Sequence, residues 1–358
     1  MTDPSGEPPA FRDPDAGDAA APDAPPLTRA EARRAIADAD ADADAGSSFQ
    51  AHVRAARSEF EQQIDRAKAD FEQVNDRINA RTGRNLLLAT LIGLAIGAVV
   101  LGSLLFVKSL FLIFAIPVCL LGVFEFSRAL QTAGRRIDIV PQLVVAAIIT
   151  LSGFFLGHWT HWVITFACVA ALIVWRLLAQ MAAHDGRRYG DVLTDVLVTG
   201  FVAVYVSFLA SLTLVLLRQE QGEYWLLGMI VAVVAADTGA YASGLAFGKH
   251  PMAPRISPKK TWEGFAGGAV ATMAIAGGYG LLVLHVPIWV GIVLGVVIFG
   301  CATVGDLGES MIKRDLGIKD MSSWLPGHGG VLDRLDSILP SAAAALALYF
   351  LFFPMVSP

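Results

Sequence analysis

The chain has 358 residues, 55% of them hydrophobic and only 16% charged, and its mean hydropathy is +0.57. Soluble domains carry about 25% charged residues, so this composition excludes an ordinary soluble globule and points to a membrane protein. The net charge of −5 comes from an acidic opening segment ahead of a nearly neutral body, which argues against nucleic-acid binding.

Residues 1–48 consist largely of Ala, Asp, Pro and Gly, including the run ADADADADAG at 37–46. With few large apolar groups and much like charge, they cannot bury enough surface to offset chain entropy, so a disordered tail is expected. Across 49–85, Phe49, Val53, Ala56, Phe60, Ile64, Ala67, Phe71, Val74 and Ile78 recur at spacings of three and four. That stripe predicts a charged amphipathic or coiled-coil helix, free to lie on a membrane or to engage a partner. The acidic, Pro-rich start has neither the basic nor the apolar region of a signal peptide, so insertion is expected to rely on the first true span.

From Leu86 onward, apolar runs alternate with short charged loops. A spanning helix needs about 20 apolar residues. Nine runs qualify: 86–106, 109–127, 140–157, 162–178, 192–217, 224–244, 264–284, 288–304 and 337–354. The fold class is therefore all-α, a polytopic membrane protein with about nine transmembrane helices. Alternate loops are basic, carrying Arg128, Arg135 and Arg136; Arg187 and Arg188; Lys249, Arg255, Lys259 and Lys260; and Lys313, Arg314, Lys319 and Arg334. By the positive-inside rule these loops and the N-terminus face the cytoplasm. Cys119, Cys168 and Cys301 stand singly in apolar runs and read as small buried hydrophobes.

Two basic loops are chemically dense. One follows the sixth span, AADTGAYASGLAFGKHPMAPRISPKKTWEGFAGG at 235–268; the other follows the eighth, GDLGESMIKRDLGIKDMSSWLPGHGGVLDRLDS at 305–337. A carboxylate at membrane depth is costly and normally faces a polar cavity with a partner, which marks Asp237 and Asp306. Asp333 and Asp336 are three apart, on one face of the helix that opens the last span. Acids at a helix start also have a plain structural reading, since they complement the dipole. Taken together, four acids converge on one membrane surface, and oxygen donors of this kind suit Mg²⁺. Lys259, Lys260, Lys313, Arg314, Lys319 and Arg334 interleave with them, so an anionic substrate would not be repelled. Gly327, Gly329 and Gly330 let backbone N–H groups approach phosphate oxygens. His328 between them reads equally as a proton shuttle, a phosphate ligand or an ordering loop residue. SMIK at 310–313 matches a Ser-x-x-Lys tetrad but lacks its companion motifs, and is set aside. Carboxylates, cations and glycine loops on one side form the inventory for moving phosphate groups.

SMIKRDLGIKDMSSWLPGHGGVLDRLDS, residues 310–337, resembles the signature of the phosphatidate cytidylyltransferase (CDP-diglyceride synthase) family. DTGAYASGLAFGKHPMAPRISPKKTWEG is similar to that family's second recurrent stretch. The resemblance covers 86–358 in layout and leaves 1–85 outside. It implies a transmembrane cytidylyltransferase domain over 86–358, an enzyme that joins CTP to phosphatidate from the inner leaflet. The products would be CDP-diacylglycerol and pyrophosphate. It further implies Mg²⁺ with a second cation such as K⁺, and a multi-pass place in the cell inner membrane. Asp237, Asp306 and Asp333 would hold metal. Asp306, Asp333, Asp336, His328, Lys313 and Arg314 would carry the chemistry. Lys259, Lys260, Lys319, Asp320, Gly327, Gly329, Gly330 and Arg334 would bind substrate. GxxxG spacings at Gly93–Gly97 and Gly264–Gly268 permit close helix packing, within one subunit or across a homodimer. An ion-coupled transporter would also carry intramembrane acids, but the sequence shows no internal repeat and its acids cluster on one side.

Overall fold

The computed structural model describes residues 86–183, 186–322 and 330–356. The acidic tail, the amphipathic stripe, Gly327, His328 and Gly329 lie outside the described residues. Helices follow one another: α1 (Leu86–Phe106), α2 (Lys108–Thr132), α3 (Ile139–Phe155), α4 (His158–Ala183), α5 (Tyr189–Leu217) and α6 (Gly222–Phe247). A short antiparallel hairpin, β1 (Pro251–Ala253) and β2 (Ser257–Thr261), precedes α7 (Trp262–Leu282) and α8 (Ile288–Asp315). The chain closes with α9 (Leu332–Leu335) and α10 (Ile338–Phe352).

Among the described residues, seven helical stretches are long and apolar enough to cross a membrane: α2, α4, α5, α6, α7, α8 and the composite Leu332–Met355. The apolar helix α3, Ile139–Phe155, is shorter. The packed interior is apolar, and so is much of the exterior. Ile113, Val140, Phe166 and Met181 are each at least 66% exposed. An outer surface of that kind is at home in hydrocarbon rather than water. The protein is an all-α polytopic membrane protein.

Small residues set the tightest contacts. A methyl group on Gly264 would stand 2.8 Å from the Ala240 carbonyl, and one on Gly268 3.0 Å from that of Ala236. The Gly264–Gly268 spacing is therefore used inside the chain, where α7 lies against α6.

The polar contacts separate into two layers. At one end Lys108 pairs with Glu223 at 2.6 Å, Gln219 meets His158 at 3.0 Å, and Tyr349 donates to the Glu220 carbonyl at 3.1 Å. At the other, Arg187 pairs with Asp195 at 2.9 Å and donates to the Gly134 carbonyl, while α2 and α8 reach the residues around α9. This division matches the alternation of weakly and strongly basic loops in the sequence.

The structure adds the β1–β2 hairpin, in a segment the sequence reads as loop, and lengthens one helix. The eighth apolar run ends near 304, but α8 continues three turns further to Asp315. Its extension, GDLGESMIKRD, contains Leu, Glu, Met, Ile, Lys and Arg, all good helix formers. Nothing in it breaks the helix until Gly317 adopts a left-handed φ of 72°.

Candidate active site

A cavity of about 500 Å³ opens at the end of the molecule rich in basic loops. α6 supplies Asp237, Tyr241 and Leu245; β2 supplies Lys259 and Lys260; α7 supplies Phe265; α8 supplies Phe299 and Asp306. The hairpin carries the two lysines over the cavity. Its C-terminal Thr261 then caps α7, its hydroxyl accepting from the Gly264 N–H at 3.1 Å. Glu263 holds the hairpin base, accepting from the Lys249 and His250 N–H groups and pairing with the His250 ring at 2.6 Å.

Lys260 Nζ stands 2.5 Å from Asp306 Oδ2, so the charges on β2 and α8 meet across the cavity. Ser310 donates to the other Asp306 oxygen at 3.4 Å. Asp237 lies in the field of Asp306 and Asp336 and of Lys260 and Arg334. Tyr241 and Leu245 are 74% and 77% exposed, so the rim along α6 is open and carries large hydrophobic side chains.

A second charged group lies beside the cavity. Lys313 Nζ bridges Glu309 Oε2 and Asp333 Oδ1, each at 2.9 Å. Asp333 also accepts from the backbone N–H groups of Gly330 at 2.8 Å and Met321 at 3.1 Å. Glu125 on α2, fully buried, accepts from the Leu332 N–H at 2.9 Å and from the Ser322 hydroxyl. Asp333 and Glu125 thus grip both stems of the segment that joins α8 to α9. Asp336 and Ser337 fall between α9 and α10, where Asp336 is buried near Asp306 and Glu309. α8 passes this break so closely that a methyl on Gly305 would lie 2.1 Å from the Asp336 carbonyl.

Of the residues singled out in the sequence, the structure gathers Asp237, Lys259, Lys260 and Asp306 around one cavity. Lys313, Asp333 and Asp336 form the adjoining group. Arg314 donates through Nε to the Ile256 carbonyl at 3.3 Å, tying α8 to the hairpin. Lys319, Asp320 and Arg334 are solvent-exposed at the same end, and the Gly330 N–H is committed to Asp333. Three polar residues absent from the sequence reading also belong here. Glu309 on α8, buried against Lys313, is one. Glu125 is another; an acid inside the run CLLGVFEFSRAL is itself a signal. The third is Tyr205. It sits in a π-helical turn of α5, Ala203–Phe208, with its hydroxyl unpartnered among the described residues and Glu309, Asp336 and Asp306 as electrostatic neighbours.

Among the described residues, no three His, Cys, Asp or Glu side chains stand together as a ready-made metal site. Mg²⁺, however, is commonly held by one or two carboxylates, with water and substrate phosphates completing its shell. Asp237 and Asp306, hard oxygen donors from two helices on one cavity, fit that donor set.

Residues 88–352 match the model of the cytidylyltransferase family. The chain is 41% identical to a phosphatidate cytidylyltransferase of Mycobacterium bovis over 285 aligned residues, covering 74% of this chain and 89% of the relative. It is likewise 41% identical to that of Mycobacterium tuberculosis, covering 74% of this chain and 83% of the relative. Similarity to that of Mycobacterium leprae is 37% over 289 residues, 74% of this chain and 88% of the relative.

Proposed function

The chain belongs to the cytidylyltransferase family, and from that membership we infer that it transfers a cytidylyl group from CTP to phosphatidate. The products are CDP-diacylglycerol, a precursor for phospholipid biosynthesis, and pyrophosphate. An oxygen of the lipid phosphate forms a bond to the α-phosphorus of CTP as the bond to the β-phosphate oxygen breaks. Two strongly anionic reactants must meet, so catalysis is chiefly positioning and charge neutralisation.

The observation that carries this reading is the cavity itself, where two lysines and two carboxylates face one another behind an apolar rim. Lys259 and Lys260 neutralise the triphosphate. Asp237 and Asp306 would hold Mg²⁺, which would screen phosphate charge. Lys260, paired with Asp306 at 2.5 Å, exchanges that partner for a phosphate of the nucleotide. Phosphatidate reaches the cavity sideways past Tyr241 and Leu245, its acyl chains remaining in the bilayer. Lys313, Glu309 and Asp333 keep α8 and α9 in register, while Glu125 and Asp333 fix Met321, Ser322, Gly330 and Leu332 between those helices. Lys319, Asp320, Arg334 and the Gly-His-Gly-Gly stretch serve the phosphates. The enzyme resides in the cell inner membrane with its N-terminus and active site cytoplasmic, a reading supported by the basic loops at the cavity end.

Membranes enriched in the protein, given phosphatidate and α-³²P-labelled CTP, test this directly. Label should enter the organic phase as CDP-diacylglycerol with Mg²⁺ and not with EDTA. Label transfer undiminished by EDTA would remove the metal from the scheme, and no transfer by folded protein would remove the activity.

A further inference from the structure

A second cavity, of about 430 Å³, lies among the end of α2, the start of α3 and the end of α4. None of its lining residues belongs to the cytidylyl-transfer cavity. Three arginines line it, Arg135, Arg136 and Arg176, against one carboxylate, Asp138.

Arg176 is the central feature. Only 4% of it is exposed, although it belongs to the apolar run LIVWRLLAQ of α4. Its Nη1 reaches Asp138 Oδ2 at 3.3 Å and its Nη2 donates to Gln180 at 2.8 Å, but its Nε has no hydrogen-bond partner. A buried guanidinium N–H left without an acceptor is costly. Arg135 has no hydrogen-bond or ion-pair partner for its side chain among the described residues. Asp138 precedes the first residue of α3, yet its carboxylate makes no cap there and instead accepts from Trp175 Nε1 at 3.2 Å. The first N–H groups of α3 are thus left without a side-chain cap at the cavity wall. Arg187 lies nearby but is committed to Asp195 and the Gly134 carbonyl. Arg135 and Arg176 alone, set against Asp138, leave the cavity an excess of positive charge and of unused donors.

We propose that this cavity binds the phosphate of an anionic phospholipid headgroup, at a site separate from the one that turns over substrate. A lipid is favoured over a soluble anion because the flanking surface is built for acyl chains. Val140, Trp175, Leu178 and Met181 are each more than half exposed beside the arginines. Trp175 marks the depth of the interface, where headgroups lie. Basic pockets between spanning helices near that depth suit phosphate headgroups. Arg176 supplies the buried donor, Arg135 the half-buried one, and the α3 N-terminus completes the contact.

The purified full chain, in nanodiscs of dioleoylphosphatidylcholine, can be titrated with dioleoylphosphatidylglycerol and bound lipid counted by native mass spectrometry. Each arginine lost should weaken phosphatidylglycerol binding about fivefold, so Arg135→Gln and Arg176→Gln should both show it. Arg135→Gln is the decisive variant should Arg176→Gln fail to fold, because the Arg135 side chain makes no hydrogen bond or ion pair among the described residues. Lys260→Ala, in the other cavity, should leave this binding unchanged. Equal affinity in wild type and Arg135→Gln would overturn the site, as would loss in Lys260→Ala alone. Displacement of the lipid by inorganic phosphate at matched concentration would overturn the lipid assignment in favour of a soluble anion.

Discussion

The ion pairs near the transfer cavity differ in what they support. Lys260 and Asp306 meet at the cavity. Lys313 is enclosed between Glu309 and Asp333 at 2.9 Å each. Lys313→Met should therefore destabilise the protein by about 3 kcal/mol, because two acids lose their counter-charge. Adding Glu309→Gln should restore part of the loss, as read by thermal melting in detergent. Glu125 acts differently again, fixing Ser322 and Leu332. Glu125→Leu should lower transfer activity at least tenfold and speed proteolytic cutting between 322 and 330, with insertion intact. Asp237 and Asp306 were legible in the sequence because a carboxylate within or at the end of an apolar run demands a reason, and Lys259 and Lys260 because they stand in a basic loop rich in Gly and Pro. Glu125 and Tyr205 were harder to read, since nothing near either in sequence shows what it meets. The partners of Glu125 stand 197 and 207 residues away along the chain.

At the scale of elements, α8 organises the site. One continuous helix presents Gly305, Asp306, Glu309, Lys313 and Arg314, so the cavity, the buried charge group and the hairpin share a single rigid support. Hydropathy located the membrane part of α8 but not its extension, because apolar scoring stops where the helix leaves the apolar layer. Helix propensity does not stop there, and the run to Asp315 remains helical. The hairpin was also beyond reach. Its strands include Pro251, Pro258 and two lysines, which read as a loop, and only the return of the chain from α6 to α7 pairs them. Gly305→Ala tests the contact between α8 and the α9–α10 break. The added methyl meets the Asp336 carbonyl, so the helices must separate. Melting temperature and transfer rate should both fall, whereas Gly308→Ala, with open space around its Cα, should change neither appreciably.

For the whole molecule, two polar layers bracket an apolar middle, and the transfer cavity belongs to only one of them. The alternation of basic and weakly charged loops predicted that separation from sequence, and the ion pairs respect it: Lys108 with Glu223 at one end, Lys260 with Asp306 at the other. The orientation it implies can be checked in a cysteine-free background. Arg255→Cys should react with an impermeant maleimide only after the cells are opened, whereas Glu220→Cys should react in intact cells. The opposite pattern would invert the topology and remove the cavity from its nucleotide supply. Glycine spacing was readable too, but not its use. Gly264 and Gly268 join α7 to α6 within the chain, a choice that depends on which helix happens to lie opposite.

The most direct test of the account is cytidylyl transfer from labelled CTP to phosphatidate by Asp306→Asn, beside wild type and Lys108→Ala at matched membrane abundance. The account predicts a fall of about 100-fold or more for Asp306→Asn, a loss of roughly 3 kcal/mol of transition-state stabilisation. Lys108→Ala, in the opposite polar layer, should keep the wild-type rate. Full activity in Asp306→Asn would contradict the assignment of the cavity between β2 and α8 as the catalytic centre.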